Sequence, residues 1–279
     1  MSDGISTDEI MQIALDLVGA AAVPADSAIY VPGTGLKRVM LGIDIGAAEL
    51  LLARQLGVDG AIAHHPAGGS AVLDFPKVLV RGVELMIAAG VPEEIARQTL
   101  QPAVARAMLR AQATNHDHAP SIARLLGLPF MNVHLPLDEF GRRAMDEAIR
   151  THLAGLGREP LVGDVVSALR TIPEIRDAAT RVMVPVGRLD APAGRVAVFH
   201  GAGTNGGSPV AQTLFAHGVG TVVYIHLAPE EADRLRALPA PSGSVVVSGH
   251  ISSDLIGVNR FVRTLEECGV EVVRMSGVV

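Results

Sequence analysis

The sequence predicts an α/β fold, in which helices cover sheets of apolar strands. Short runs of strand type alternate with segments of helical pattern along most of the 279 residues. The strand-type runs, such as RVAVF and GSVVV, are apolar throughout, which indicates strands that are buried on both faces. A chain of this length can form one large domain or two lobes.

The first predicted elements lead to a pair of histidines. Ser6 and Glu9 form a capping box ahead of apolar residues at helical spacing, so a helix is expected over roughly residues 7–20. A β-type run at residues 38–45 comes next, and a helix over AAELLLARQLG follows it. The next strand, VDGAIA, ends at the dipeptide HH.

The middle of the chain is predicted to be largely helical. Helices are expected over roughly residues 77–126, with Pro92 and Pro102 marking breaks or first turns. The run LPFMNVHLP is a predicted strand, and a helix over roughly residues 139–154 is expected after it.

The second half of the chain continues the alternation of strands and helices. Its predicted strands are RVMVPV, RVAVF, TVVYI, GSVVV and VEVVRM, with helices between most of them. Residues 155–160, GLGREP, form the best place for a lobe boundary. We therefore expect an N-terminal α/β lobe at residues 1–157 and a C-terminal α/β lobe at residues 158–279.

The composition argues against nucleic acid as a direct partner. The net charge is −6 and the sequence pI is about 5.9, so the chain offers no basic surface for a nucleic-acid backbone. Aromatic residues make up only 3% and tryptophan is absent from the sequence, which leaves few platforms for stacking bases.

The same composition predicts a soluble cytoplasmic protein with no membrane partner. Cys268 is the only cysteine, so the chain has neither an internal disulfide nor a thiolate cluster for zinc. The N-terminus, MSDGISTDEI, is acidic and polar, and no apolar run approaches the length that spans a membrane.

The stretch AIAHHPAGGS places His64 and His65 side by side at a strand end. Consecutive side chains of a strand point to opposite faces, so two neighbouring imidazoles share one site only where the chain leaves strand geometry. Pro66 and the glycines behind it indicate that the chain does so here. Strand ends are where α/β proteins build their sites, although a lone histidine pair is more often structural.

Two further segments repeat the pattern His-x-x-x-acid after a strand. They are His134 to Asp138 and His250 to Asp254. Residues four apart at a helix start lie on one face, so one short segment presents an imidazole and a carboxylate to the same ion. The alternative is that both aspartates are helix caps and the histidines pack beside them.

The number of these side chains favours two metal ions over one. His64, His65, Asp138, His250 and Asp254 are five candidate ligands, and His134 is a sixth side chain near them. One tetrahedral zinc needs three or four protein ligands, whereas five or six with two carboxylates suit a metal pair. Nitrogen and oxygen ligands favour Zn, Mn, Fe or Co and do not choose among them.

A glycine-rich loop is the second candidate site. Gly201, Gly203 and Gly206 match G-x-G-x-x-G between a strand and a helix, and Gly207 follows them. The next strand ends without the acidic residue that would hold a ribose, so the dinucleotide fingerprint is incomplete. Two interpretations stay open: backbone N–H groups from Gly203 to Ser208 hold an anion such as a phosphate, or the turn is purely structural.

The remaining histidines receive no functional assignment from the sequence. His116 and His118 lie in a polar turn, where neighbouring Asn and Asp residues suffice as helix caps. His200 and His226 end predicted strands but lack a paired carboxylate nearby in sequence.

Taken together, these motifs resemble the Nif-three-like family of dinuclear-metal proteins, often described as GTP cyclohydrolase 1 type 2. The resemblance rests on AIAHHP, NVHLPLD, VFHGAGTNGG and SGHISSDLIGVNRFVRTLEECGVEVV, and it covers nearly the whole chain. It implies two linked α/β lobes with the metal pair in the cleft between them, and often a ring-like homo-oligomer, commonly a hexamer. The implied ligands are His64, His65, Asp138, His250 and Asp254, with His134 lining the site.

Two departures from the family pattern affect the expected site. Asp254 stands where many members have Glu, which shortens the reach by one methylene and weakens one metal position. The strand TVVYIHL lacks the Thr-Gly-Asp that often follows it in the family and has His226 there, so part of the substrate pocket is expected to differ.

The sequence leaves more than one class of function open. The first is a metal-dependent hydrolase, in which the metals lower the pKa of a bridging water and the hydroxide attacks a nucleotide or phosphate-bearing small molecule. The resemblance implies GTP as the substrate class, and His134 is the candidate catalytic proton donor. The second is a metal-binding scaffold or regulatory protein without turnover. The third is a nucleotide-cofactor enzyme that uses the glycine loop.

Overall fold

The computed structural model of the chain describes residues 4–203, 205–238 and 243–279. Over these residues the protein is an α/β structure with two sheets covered by helices, which confirms the predicted fold class. Its strands are β1 (Ala28–Val31), β2 (Arg38–Gly42), β3 (Gly60–Ala63), β4 (Phe130–Asn132), β5 (Met183–Val186), β6 (Arg195–Phe199), β7 (Val219–Tyr224), β8 (Ser244–Val247) and β9 (Glu271–Arg274).

The helices of the described residues vary in length from single turns to three long helices of 18 to 21 residues. They are α1 (Thr7–Asp16), α2 (Ala47–Gln55), α3 (Gly69–Leu73), α4 (Phe75–Val78), α5 (Val80–Ala88), α6 (Glu93–Ala113), α7 (His118–Leu126), α8 (Leu135–Ala154), α9 (Val162–Leu169), α10 (Pro173–Arg176), α11 (Gly207–Ala216), α12 (Pro229–Arg236) and α13 (His250–Glu267). Each described helix is too short or too polar to span a bilayer.

The chain forms two compact units that are interleaved in sequence. The first unit comprises Met1–Val78, Arg106–Phe140 and Leu255–Val279, and the second comprises Leu79–Ala105 and Gly141–Asp254. The lobes expected from the sequence, 1–157 and 158–279, are contiguous segments instead. The C-terminal segment belongs to the first unit because β9 pairs in parallel with β2 and so completes the sheet of that unit.

The sheet of the first unit has the strand order β1-β4-β3-β2-β9. β1 is antiparallel to β4, and the other neighbours are parallel. Ala63 at the end of β3 pairs with Asn132 at the end of β4. The residues that follow these two strands therefore leave the sheet from the same edge, where parallel α/β sheets place their sites.

The strands of this sheet are apolar throughout because both faces are covered. Val39 and Leu41 belong to a buried cluster with residues of α1 and α13, such as Ile10 and Phe261. Met40, between them, belongs to a different cluster with residues of α2 and α7. Alternate residues of one strand thus enter two cores, which explains the unbroken apolar runs in the sequence.

A glycine sets the packing of α13 on α8 within the first unit. A Cβ atom added at Gly257 would lie 2.0 Å from the carbonyl oxygen of Leu137. Since real side chains do not approach a backbone atom this closely, only glycine allows this contact. The two helix backbones therefore touch at this point.

The sheet of the second unit has the order β5-β8-β7-β6, with β5 antiparallel to β8 and the other neighbours parallel. Phe199 pairs with Tyr224, which pairs with Val247, so the ends of β6, β7 and β8 are aligned. His200, His226 and His250 follow these three ends on the same edge of the sheet.

The predicted elements agree with the structure except at some ends and one proline. Ser6 and Glu9 exchange the two bonds of the capping box, as predicted, but α1 ends at Asp16 rather than near residue 20. A break or first turn at Pro102 was wrong, because Pro102 lies inside α6. A proline removes one backbone hydrogen bond, and here the helix continues through that loss.

Candidate metal centre

His64 and His65 follow β3 in a segment that the sheet edge holds in place. The backbone N–H of His64 donates to Gly42 O and that of His65 donates to Ile43 O, both at 2.9 Å. The two imidazole centroids lie 5.2 Å apart with an angle of 39° between the ring planes. The chain has left strand geometry, so the two rings lie beside each other, as the sequence led us to expect.

His64 is buried, and both of its ring nitrogens face oxygen atoms. Nδ1 lies 3.0 Å from the carbonyl oxygen of Val133, which only accepts hydrogen bonds. Nδ1 is therefore a protonated nitrogen, so Nε2 carries the lone pair when the ring is neutral. Nε2 lies 3.2 Å from Oδ1 of Asp138.

His134 repeats this arrangement on the other oxygen of the same aspartate. Its Nδ1 lies 2.7 Å from Oδ2 of Asp26, a carboxylate with 0% exposure. Its Nε2 lies 3.6 Å from Oδ2 of Asp138, one helical turn away. Ser27 Oγ accepts the backbone N–H of His134 at 2.9 Å, which fixes the residue just before α8.

The buried Asp138 carboxylate is thus faced by two imidazole nitrogens, each of which carries a lone pair when its ring is neutral. Lone pairs on neighbouring nitrogen and oxygen atoms repel unless a proton or a cation lies between them. A single proton satisfies only one of the two contacts, whereas one cation near all three groups satisfies both. Imidazole nitrogen and carboxylate oxygen are the donors that Zn, Mn, Fe and Co accept, so these residues fit a divalent metal.

His65 completes the group in the first unit. Its Nδ1 lies 2.8 Å from Oδ1 of Asp44, which leaves Nε2 for a ligand. One ring nitrogen from each of His64, His65 and His134 lies within 4.8 Å of the others. In all three residues an oxygen atom engages Nδ1, which is the arrangement that orients metal-binding histidines in proteins.

The second unit holds a similar group around Asp254. Nε2 of His250 lies 3.4 Å from Oδ2 of Asp254, and Nε2 of His200 lies 3.9 Å from Oδ1. Asp254 and His200 are buried, while His250 is exposed. The ring of His226 packs against that of His250 with a centroid distance of 4.8 Å.

Neither aspartate occupies a helix-cap position. Asp138 is the fourth residue of α8, and Asp254 is the fifth residue of α13. N-cap side chains precede the first helical residue and bond to N–H groups of the first turn. The carboxylates of Asp138 and Asp254 face imidazoles instead.

Tyr30 and Asn132 support the loop after β3, residues 64–68, which carries His64 and His65; we call it the histidine loop. The hydroxyl of Tyr30 donates to Asn132 Oδ1 at 2.6 Å and accepts the N–H groups of Ala67 and Gly68 at 3.0 and 3.2 Å. Asn132 Nδ2 donates to Asp26 O at 2.7 Å. Burial raises the pKa of Tyr30 to about 12, so the hydroxyl keeps its proton at neutral pH.

The backbone conformation of the glycine-rich loop between β6 and α11 explains why it contains glycines. Gly201, Gly203, Gly206 and Gly207 have φ values of +71°, +69°, +78° and +63°, which favour glycine. Thr204, within this loop, lies outside the described residues.

Two of the N–H groups expected to hold an anion are already bonded within the protein. Gly207 N–H donates to Asn205 Oδ1 at 3.0 Å, and Ser208 N–H donates to Glu231 Oε2 at 2.7 Å. The Ser208 hydroxyl donates to the same carboxylate oxygen. An anion bound at these two groups would have to displace the side chain of Glu231.

Sequence reasoning missed three side chains of these groups: Asp26, Asp44 and His200. Asp44 had a local signal, since it follows the run RVMLGI at the end of β2. Asp26 and His200 had no local partner in sequence, because Asp26 meets His134 across 108 residues and His200 meets Asp254 across 54. Strand pairing brings them together.

Comparisons with known proteins agree with this fold. No family model matches the chain, and no curated protein matches it. Among solved structures, the NIF3 superfamily protein from Sphaerobacter thermophilus is 61% identical over 98% of this chain and 99% of that chain, with a TM-score of 0.96.

Two more distant structures share the fold alone. Reduced HcgD from Methanocaldococcus jannaschii is 12% identical, with a TM-score of 0.56 and coverage of 98% of this chain and 99% of that one. The Bacillus cereus protein related to NIF3 is 11% identical, with a TM-score of 0.51 and coverage of 97% and 96%.

The fold and the buried histidine–aspartate groups define an α/β protein with a candidate metal centre. The identity of 61% over almost the full length places the chain more narrowly: it belongs to the NIF3 superfamily. The resemblance seen in the sequence is thereby confirmed.

Proposed function

We propose that the protein is a divalent-metal-dependent hydrolase that acts on a nucleotide or another phosphate-bearing small molecule. The observation that carries this proposal is the buried Asp138 carboxylate, which two imidazole Nε2 atoms face at 3.2 and 3.6 Å. Burying such a group is costly unless a cation balances it.

The proposed ligands are those expected from the sequence, and they hold two divalent ions per chain. They are His64, His65, Asp138, His250 and Asp254. Zn, Mn, Fe and Co all suit nitrogen and oxygen donors. Asp254 replaces the longer Glu of many family members, so we expect the ion that it binds to be held more weakly.

In the proposed site the ions supply the reactive chemistry, and the residues of the chain hold the ligands in position. Divalent ions bound here would lower the pKa of a coordinated water and polarise an oxygen atom of the substrate. Asp26 and Asp44 hold the Nδ1–H groups of His134 and His65, so the Nε2 atoms of both rings keep their orientation. Tyr30 fixes the loop behind His65 through two backbone N–H groups.

The substrate class rests on the family resemblance. GTP, with hydrolytic ring opening as the reaction, is the substrate that the description GTP cyclohydrolase 1 type 2 implies for the family. Gly201, Gly203, Gly206 and Gly207 remain the candidate binding loop for its phosphates. A substrate phosphate would compete there with Glu231 for the N–H of Ser208.

That competition favours a second candidate function, a metal-binding scaffold or regulatory protein. Two N–H groups of the loop already donate to Asn205 and Glu231, so they are satisfied without an external anion. In this alternative the metal centre is kept and turnover is absent.

Metal-loaded protein assayed against a panel of nucleotides and phosphoesters separates the two candidates. The hydrolase predicts turnover that depends on added metal and is lost in Asp138→Asn, which keeps the shape of the side chain but not its charge. His118→Ala, a change at an exposed residue, is the matched control. Metal binding without turnover of any substrate supports the scaffold.

Assembly and location follow from the sequence and the resemblance. We propose a homo-oligomer larger than a dimer, in a ring that is commonly hexameric in the family, and a cytoplasmic location. Light scattering at micromolar concentration tests the assembly, and a monomer would contradict it.

A further inference from the structure

The second unit contains an open cavity between α9 and the strand β5, which we call the β5 groove. Its volume is about 660 Å³, within the range of small-molecule sites in proteins. The residues that line it all lie between Val166 and Asp190, so none of the proposed metal ligands belongs to it. The groove is therefore separate from the site already described.

The floor of the β5 groove is apolar. Val184 of β5 and Val182, just before the strand, are two residues apart and so point to the same side of the sheet. Val166 lines the groove from α9, a helix that Val165 and Leu169 anchor by full burial. The three lining valines are only partly buried, so a ligand that covers them removes further apolar surface from water.

Leu189 forms one wall, on a loop that hydrogen bonds hold in place. At the start of α9, Gly163 N–H donates to the carbonyl oxygen of Leu189, and Val162 N–H donates to that of Ala191, both at 2.9 Å. The Leu189 side chain is nevertheless 58% exposed. The loop therefore presents an apolar side chain in a fixed position, as pre-formed ligand sites do.

Arg170 supplies a positive charge at the opposite end of the groove. It follows Val166 by one helical turn and lies about 10 Å along the axis of α9 from Gly163, beside which Leu189 is held. Within the described residues, Arg170 forms no ion pair. Three other arginines of this region each pair with an aspartate at 2.7 Å: Arg158 with Asp164, Arg176 with Asp177 and Arg188 with Asp190.

The charge of the groove favours an anionic ligand. Among its lining residues, the charges of Arg188 and Asp190 cancel each other, and that of Arg170 is left over. A guanidinium group binds a carboxylate through two parallel charge-assisted hydrogen bonds. An apolar floor with one unpaired arginine at its end is thus complementary to a molecule with an apolar body and one carboxylate.

The edge of β5 favours a small molecule over a peptide. β5 is an edge strand, with β8 as its neighbour in the sheet. Pro185 has no N–H to offer a further strand, and its carbonyl already accepts from Nη1 of Arg236 at 2.9 Å. The pairing with β8 also shifts in register between Met183 and Val186. Prolines and irregular pairing are the features that keep natural edge strands from pairing with added strands.

We propose that the β5 groove binds a small amphipathic carboxylate, such as a medium-chain fatty acid. Its carboxylate pairs with Arg170, and its apolar body lies on the three valines and against Leu189. This site lies outside the proposed hydrolase chemistry and needs none of the metal ligands.

Isothermal titration of the full chain with decanoate, below its micellar concentration, tests the proposal. We expect saturable binding, with an affinity that rises about three- to four-fold for each methylene added from hexanoate to decanoate. Decanol and decyltrimethylammonium lack the carboxylate and should bind at least about 10-fold more weakly.

Variants locate the binding within the groove. Arg170→Gln should weaken decanoate binding by about 10-fold or more and leave decanol binding unchanged. Leu189→Ala should weaken the binding of both ligands. Arg181→Gln is the matched control, because Arg181 is also exposed but does not line the groove, and the loss of charge is the same. All three positions are exposed, so the fold should be retained, and circular dichroism checks this.

A carboxylate also binds metal ions, so each titration is repeated with EDTA. Binding that EDTA abolishes belongs to the metal centre and overturns the proposal, as does equal decanoate affinity in the wild type and Arg170→Gln. Absence of saturable binding overturns it too. If Leu189→Ala then has a lower mass than the wild type in light scattering, a second copy of the chain covers the groove instead. The proposed function stands or falls independently of these results.

Discussion

Nε2 of His64 lies 3.2 Å from Oδ1 of Asp138, and the two residues are only 1% and 4% exposed. The carbonyl of Val133 accepts from the other nitrogen of His64, so the neutral imidazole presents its lone pair to the carboxylate. The second oxygen of Asp138 is in the same position with respect to His134. Asp138 therefore lies between His64 and His134 and contacts both through its carboxylate.

Replacing Asp138 by Ala should cost at least as much bound metal as replacing His64 by Ala. A carboxylate places one oxygen on each of two cations, while an imidazole nitrogen serves only one. Asp138→Ala should loosen both ions, and His64→Ala should remove mainly one. Elemental analysis of the purified variants measures this directly.

The fold is expected to survive both changes if the core is independent of metal, and thermal melts provide that control. A folded Asp138→Ala protein with a full metal complement would contradict the prediction. In that case the carboxylate would have only a structural role at the start of α8.

Tyr30→Phe should destabilise the protein by roughly 1–3 kcal/mol, because it removes the hydroxyl from a network of buried and partly buried partners. The hydroxyl bonds Asn132 and two backbone N–H groups of the histidine loop. Tyr224→Phe is the matched control, since its hydroxyl has two polar partners, Gly207 O and the backbone of Ala211, against three for Tyr30. Urea denaturation compares them, and a smaller loss for Tyr30→Phe than for Tyr224→Phe would count against the role given to Tyr30.

Tyr30 should also contribute to the loss of stability in alkali. Burial raises its pKa from 10.0 to about 12, so the folded state holds the proton more tightly than the unfolded state. The stability that this provides is fully present below pH 10 and is lost as the pH rises towards 12. Denaturation midpoints over this range should fall more steeply for the wild type than for Tyr30→Phe, and parallel curves would refute the assignment.

Gly257→Ala should destabilise the first unit by about 1–3 kcal/mol through overpacking. The added methyl would lie 2.0 Å from the Leu137 carbonyl oxygen, so α13 and α8 must move apart. Gly157→Ala is the control, because a Cβ atom there has no neighbour within 4 Å. Thermal melts of the two variants should differ, and equal melting temperatures would show that the helices separate freely.

Glu231→Gln should weaken the start of α11 and open the glycine loop to anions. The carboxylate accepts from the N–H and the hydroxyl of Ser208, and the amide is a poorer acceptor for both. We expect inorganic phosphate to raise the melting temperature of Glu231→Gln more than that of the wild type. An equal response in the two proteins would exclude Glu231 as a competitor for the anion.

The sequence predicted those parts of the site that have a local signal. Short segments of the sequence are enough to identify the apolar run that ends in His64 and His65. The same holds for the spacing of His250 and Asp254. The i, i+4 contact between His250 and Asp254 was expected from helical geometry and is present at 3.4 Å. Local patterns are sufficient because strand ends and helix starts are set by nearby residues.

What the sequence did not predict depends on pairing across long separations. β1 is four residues long and pairs with β4, and β9 pairs with β2 with Arg38 opposite Glu271. No local pattern reveals such partners, so Asp26 beside His134 and the interleaved units were not foreseen. Helix α8 begins at Leu135 rather than near residue 139, because Pro136 fits the first turn of a helix.

The metal content of the purified protein tests the central claim most directly. Elemental analysis of the wild-type chain after gentle purification, and again after reconstitution with Zn, Mn, Fe or Co, gives the number of ions per chain. The histidine–aspartate groups around Asp138 and Asp254 predict close to two divalent ions. A protein that carries no metal after purification and takes up none on reconstitution would contradict the claim.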